Sequence, residues 1–426
     1  MRQKITLTII LLATTLLLTL DSASALGRRA RIKDLKPTVI LISIDGFRAD
    51  YLDKYPTPAL SLLAKRGVRA RWMTPAYPSL TFPNHYTIAT GLYPDDHGIV
   101  ANNMYDPDFK QTFTLRKTEE VQNGRWWMGE PIWVTAEKQG QRAASFFFPG
   151  TEAEIGGKRP SYWKHYDEKV PNSERIDTVL SWLDLPVAER PTLILTYFSD
   201  VDHAGHDSGP DSDDVKQAVA KVDQAISRLV QGLKSREIFD QVNIIIVSDH
   251  GMARRPSHQV IILDDYFDLK QTEAVSWNGE LVSIFAKPGL EESIYSTLKS
   301  KIPSQLKVYR KQEVPARFHY SKNKRIGDIV VTADEGWIVT DRDHDRPPER
   351  TADGRTIYRG SHGYDNQLES MRAVFVAHGP AFKQAVVADP FANLDVYNIM
   401  AKILGLKPAR NDGSETGARA VLRSPK

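Results

Sequence analysis

The 426-residue sequence contains no cysteine. That absence excludes disulfides, thiolate metal ligands, a cysteine nucleophile and a lipid-modified cysteine. Any metal chemistry must therefore rest on Asp, Glu, His and hydroxyl groups. Charge of one sign is also scarce: 56 Lys and Arg against 53 Asp and Glu leave a formal net charge of +3. With no long basic run, a nucleic-acid-binding surface is not indicated. Repeats, low-complexity tracts and Ser/Gly linkers are missing too. Only one stretch is uncharged and apolar at length, residues 5–20, which follow Arg2 and Lys4 and precede the small residues Ala23 and Ala25. A basic start, a short apolar stretch and small residues have the form of a secretory signal peptide, residues 1–25. A bilayer span needs about 20 apolar residues, so the expectation is a periplasmic or secreted protein with no stable membrane anchor after cleavage. An exported protein of this size without disulfides fits a bacterial periplasm.

What is present is an ordinary globular composition, 41% hydrophobic and 26% charged, enough for a large core. Apolar, β-branched runs stand at 38–44, 192–198, 243–247 and 373–377. Continuous rather than alternating apolarity is what strands covered on both faces require. Between them lie helical patterns, such as Val215, Val219, Val222, Ile226, Leu229 and Leu233 at spacings of three and four. Alternating strands and helices predict a doubly wound, mostly parallel α/β sheet with helices on both faces. Residues 26–426 read as one catalytic domain, with 263–345 as an inserted cap. A helix is expected to begin near Asn84, and the tail after Leu406 to be loosely held.

Three of the four runs lead into acidic residues. Ligands of open α/β sheets bind beyond the carboxyl ends of the strands, so Asp45, Asp202 and Asp249 are expected to converge. Three gathered carboxylates repel each other unless cations neutralise them. His206 lies four residues after Asp202, His250 directly follows Asp249, and His362 sits in Ser361-His362-Gly363. Sulfur-free Asp/His ligation suits zinc, or manganese or iron. So many donors suit two ions, which can hold both oxygens of an in-line displacement at phosphorus. Thr81, bracketed by Pro78 and Pro83, is the candidate nucleophile, because a metal at Asp45, Asp249 and His250 would activate its hydroxyl. The alternative is that Thr81 only caps a helix.

These residues stand in segments that resemble the nucleotide pyrophosphatase/phosphodiesterase family of the alkaline phosphatase superfamily. The matching segments include Ile44-Asp45-Gly46-Phe47-Arg48, Thr81-Phe82-Pro83-Asn84-His85-Tyr86 and Asn102-Asn103-Met104-Tyr105-Asp106. Downstream follow Gly129-Glu130-Pro131-Ile132-Trp133, Asp202-His203-Ala204-Gly205-His206, Ser248-Asp249-His250-Gly251-Met252 and His362-Gly363-Tyr364. The resemblance runs from 38 to about 420 and is to the compact bacterial members. It implies an alkaline-phosphatase-like fold and two Zn2+ per chain, one held by Asp45, Thr81, Asp249 and His250, the other by Asp202, His206 and His362. It implies hydrolysis of phosphodiester or phosphoanhydride bonds in nucleotides such as triphosphates, dinucleotides and nucleotide sugars. Thr81 would form a covalent intermediate, and a nucleoside 5′-monophosphate would be released. Asn102 and the backbone N–H near Phe82 would donate to a phosphate oxygen. Phe82, Tyr197 and Tyr166 would sandwich the nucleobase, with Glu152 at its exocyclic amine. A phosphomonoesterase, or a choline-type or lysophospholipid phosphodiesterase, is the alternative on the same metal core. The apolar neighbours Leu80, Phe82 and Pro83 favour diesters. A non-catalytic binding protein fits poorly, because no ligand and no nucleophile is missing.

Overall fold

A computed structural model of the chain describes residues 31–344, 349–351, 354 and 356–424. The expected signal peptide, 1–25, lies outside the described residues.

The core of the fold is an eight-stranded sheet. Its spatial order is Val386–Ala388, Val68–Ala70, Phe375–His378, Asn243–Val247, Val39–Ile44, Leu193–Phe198, Ala143–Phe146 and Tyr162–Lys164. All neighbours run parallel except Phe375–His378, which is antiparallel to both strands beside it. That reversal refines the expectation, because a continuous apolar run carries no information on strand direction.

The central strands are apolar at every position because both faces are covered. Along Val39–Ile44, Val39 and Leu41 join one core while Ile40, Ile42 and Ile44 join the other. Leu193 and Leu195 alternate with Ile194 in the same way, as do Ile245 and Val247 with Ile244 and Ile246. Each such side chain contributes about 1.5–3 kcal/mol by leaving water. The helix Asp213–Ser235 presents Val215, Val219, Val222, Ile226, Leu229 and Leu233 to the second core. Its N-terminus is closed by Ser212, whose hydroxyl accepts from the Val215 N–H at 3.2 Å.

Residues 263–345 carry a separate four-stranded antiparallel sheet, in the order Thr272–Trp277, Leu281–Ala286, Ile329–Ala333 and Leu306–Arg310. It builds a third core around Val282, Ile284, Val308 and Val331.

Two local expectations need correction. The helix begins at Thr81, not near Asn84, and runs to Thr90 behind Leu80 as its cap. Pro83 falls in the first turn, where its missing N–H costs nothing. The tail after Leu406 is packed rather than loose. Thr416–Val421 is helical with Ala418 and Val421 buried, and Asp395 accepts from the Ser414 and Gly417 N–H groups at 2.6 and 2.8 Å.

Candidate active site

The aspartates converge because their strands are adjacent. Asn243–Val247 leads to Asp249, Val39–Ile44 to Asp45, and Leu193–Phe198 to the helix Asp200–Ser208 that bears Asp202 and His206. The Asp45 N–H donates to the Phe198 carbonyl at 2.9 Å, prolonging the ladder to the carboxylate itself. Gly46 then turns with φ +66°, and a Cβ there would stand 2.9 Å from the Asp202 Cα. Only glycine lets the two aspartate-bearing backbones approach so closely.

The donors form overlapping groups. Asp202, His206 and His362 gather at one; Asp45 gathers with His85 and Asp249, and again with Asp202 and His250. His250 Nε2 lies 3.4 Å from Asp45 Oδ1 and 3.0 Å from Asp249 Oδ2. His362 Nε2 and His206 Nε2 each lie 3.5 Å from Asp202 Oδ1. The groups meet where the His250 and His362 rings stack at 3.6 Å. Asp45, Asp249 and His250 are fully buried or nearly so, and His206 is the most open of the donors.

The tautomers follow from the backbone. Nδ1 of His250, His206 and His362 each faces a carbonyl oxygen, those of Gly251, Gly360 and Ser79, at 2.8, 3.1 and 2.9 Å. A carbonyl can only accept, so Nδ1–H donates and Nε2 is left with its lone pair. The Nε2 atoms of His206 and His362 nevertheless stand 3.0 Å apart. Asp45 Oδ1, Asp202 Oδ1 and Asp249 Oδ2 are buried with no hydrogen-bond partner. Lone pairs and orphaned carboxylate oxygens turned on one another repel unless a cation stands among them. The donor set thus fits divalent cations. Burial, with Asp249 and Asp202 alongside, pushes the Asp45 carboxyl well up. Burial drives the His362 imidazole well down, aided by the neighbouring His250 and His206.

Thr81 opens its helix with Oγ1 at 3.3 Å from His250 Nε2. Leu80, not Thr81, holds the cap position, and the Thr81 hydroxyl faces the donors. Asn102 is also present, with a difference from expectation: its Oδ1 accepts from the Phe82 N–H at 2.9 Å. The Phe82 N–H is therefore spent on the protein, and Asn102 is left presenting its amide NH2.

The aromatic residues divide. Phe82 is half-buried against Phe113 and Trp127, both rings 5.9 Å away. Tyr197 is buried, and its hydroxyl donates to Asp45 Oδ2 at 2.5 Å. Tyr166 is 44% exposed, with its ring 6.2 Å from that of Tyr197. Glu152 is buried and occupied by the chain: Oε1 accepts from the Tyr166 N–H at 2.8 Å and Oε2 from Gln122 at 2.8 Å. It holds the Tyr166 segment instead of standing free to meet a ligand.

Two residues escaped the sequence reading. His85, one turn after Thr81, is fully buried, with Nδ1 at 2.8 Å from the Thr81 carbonyl and Nε2 at 2.8 Å from Ser43 Oγ. With both nitrogens used it braces the helix against Asp249, 3.4 Å away. The i, i+4 spacing from Thr81 was the available signal. Glu280, from the turn between Thr272–Trp277 and Leu281–Ala286, accepts from Ser361 Oγ just before His362, and burial pushes its carboxyl up to about 7. Nothing local in the sequence marks it.

A family profile described as type I phosphodiesterase / nucleotide pyrophosphatase matches residues 39–365. The chain belongs to this family. Among its relatives, ectonucleotide pyrophosphatase/phosphodiesterase family member 3 of Rattus norvegicus is 39% identical over 400 residues. That alignment covers 92% of this chain and 44% of the relative, so the chain spans about half the length of the mammalian protein. A pyrophosphatase/phosphodiesterase of Schizosaccharomyces pombe is 42% identical over 399 residues, covering 91% and 81%. Murine ectonucleotide pyrophosphatase/phosphodiesterase 5 superposes with a TM-score of 0.84 at 33% identity, covering 91% of this chain and all of that one. An inactive threonine-to-alanine form of that phosphodiesterase, solved with AMP, superposes at 0.83.

Proposed function

We propose that the chain is a two-zinc phosphodiesterase that hydrolyses phosphodiester or phosphoanhydride bonds of nucleotides through a covalent intermediate on Thr81. The observation that carries this reading is the place of Thr81 Oγ1, 3.3 Å from His250 Nε2 at the head of a helix, beside the overlapping Asp/His groups. Asp45, Asp249 and His250 would hold one zinc with Thr81, and Asp202, His206 and His362 the other. Bound zinc supplies positive charge that lowers the pKa of an oxygen nucleophile and offsets charge on the phosphoryl oxygens.

The chain's own residues do the rest. Thr81 Oγ forms a bond to phosphorus, the bond to the leaving oxygen breaks with its electron pair, and the hydroxyl proton passes to solvent. Water then attacks phosphorus, the Thr81–phosphorus bond breaks, Thr81 regains a proton and a 5′-monophosphate departs. Asn102, its carbonyl fixed by the Phe82 N–H, turns its NH2 to a non-bridging oxygen. The helix N-terminus at Thr81 adds a partial positive charge. Phe82 and Tyr166 supply ring faces for a base; the AMP bound to the murine relative supports a nucleotide as the ligand.

Export, read from residues 1–25, is part of the same proposal. The test is a side-by-side rate comparison of a nitrophenyl diester and a nitrophenyl monoester. The diester is expected to turn over at least a hundredfold faster, and a preference for the monoester overturns the proposal.

A further inference from the structure

Beyond the Asp/His groups, the chain forms a two-stranded antiparallel ribbon from Ala253–Pro256 and Tyr358–Ser361. Both strands are continuous with candidate metal ligands, the first following His250 and the second preceding His362. In the ribbon's register Arg255 stands directly opposite Arg359. Directly opposed residues share a face with their Cβ atoms about 4.5–5.5 Å apart, and like charges there are destabilising. Both arginines line a cavity of about 480 Å³ that His206, Gly360 and Ser361 also line.

The charges around that cavity are uneven. Arg359 is neutralised: it pairs with Glu349, donates to the Asp207 carbonyl at 3.2 Å and lies 4.0 Å from the Asp207 carboxylate. His344, also on the wall, is engaged by Asp341 at 2.6 Å. Glu280 is buried and accepts from Ser361. Arg255 is half-buried, and among the described residues its guanidinium makes no hydrogen bond or close ion pair, its charge reaching only as far as the buried Glu280 and Tyr364. A guanidinium with five donors, partly desolvated and facing a second guanidinium, is a site for an anion with several oxygens.

The position says which anion. Thr81 attacks from the side of His250, and the cavity opens at His206, a donor of the other group. In an in-line displacement the leaving oxygen departs opposite the nucleophile. We propose that this cavity receives the leaving group and that Arg255, with Arg359 behind it, binds a phosphate carried on that group. The inference rests on the phosphodiesterase reading above and narrows it. The substrates are those whose departing half is itself phosphorylated, such as nucleoside triphosphates or dinucleotides, and not those that release a cationic choline head group.

The test compares wild type with Arg255→Ala and Arg255→Lys on two substrates with one nucleotide half, a nucleoside triphosphate and a nitrophenyl ester of the nucleoside monophosphate. For Arg255→Ala, kcat/KM on the triphosphate should fall at least tenfold relative to the nitrophenyl ester, chiefly through KM, with Arg255→Lys intermediate. Inhibition of nitrophenyl ester hydrolysis by inorganic pyrophosphate should weaken by a similar factor. If both substrates lose rate equally, or neither does, and pyrophosphate inhibits as before, the inference falls. Failure of the wild type to hydrolyse the nitrophenyl ester would instead strike the phosphodiesterase reading itself.

Discussion

The Tyr197 hydroxyl donates to Asp45 Oδ2 across 2.5 Å, both groups buried. Asp45 keeps its other oxygen free of any hydrogen bond. The phenol thus fixes which carboxylate oxygen faces His250, as partners behind metal ligands commonly do. Tyr197→Phe keeps the ring and removes only this bond. We expect zinc affinity, measured by chelator competition, to drop about 10–100-fold, while KM for a nucleotide changes less than twofold. A raised KM with unchanged affinity would mean that Tyr197 contacts substrate instead.

Removing the Thr81 hydroxyl should abolish the chemistry and little else. Thr81→Ala is expected to lower kcat on a diester by on the order of a thousandfold or more. Metal content and the thermal midpoint should stay close to wild type, since the hydroxyl does not cap its helix. Residual turnover above a tenth of wild type would end the nucleophile assignment.

Chelation should silence the enzyme reversibly. Protein dialysed against chelator should lose diesterase activity and regain it with zinc, at close to two equivalents by elemental analysis. Recovery with magnesium alone would refute the metal assignment, because His-rich donor sets disfavour magnesium.

Glu280 gives a pH signature in metal-free protein. Its carboxyl is raised by burial from an ordinary 4.5 to about 7. An acid held neutral in the fold binds its proton more tightly there than in the unfolded chain, so stability falls as pH rises from about 4.5 to 7. The full effect is about 3 kcal/mol. Glu280→Gln should match wild type in denaturant midpoint near pH 4.5 and exceed it at pH 8. Parallel curves for the two proteins would show that Glu280 does not titrate in this window.

Much of the site was legible because parallel sheets place the carboxyl ends of neighbouring strands together. Apolar runs leading into Asp45, Asp249 and the Asp202 helix could be brought together without coordinates. What stayed hidden depends on contacts between distant segments. The helix was expected to begin near Asn84 rather than at Thr81, because a proline in a first turn, here Pro83, reads equally as a boundary. The tail is held by Asp395, whose backbone partners at Ser414 and Gly417 leave no periodic trace. The engagement of the Phe82 N–H by Asn102 and the facing of Arg255 by Arg359 each require a register that residue types alone do not fix.

Asp45 belongs to the middle one of the three strands, with the Asp249 strand on one side and the Asp202 strand on the other. Main-chain pitch, about 4.8 Å from strand to strand, therefore acts as the ruler that spaces the three carboxylates. Exchanging one ligand type for another would change which ion is preferred without moving that gauge. The spacing is a property of the scaffold, inherited by whatever chemistry is mounted on it.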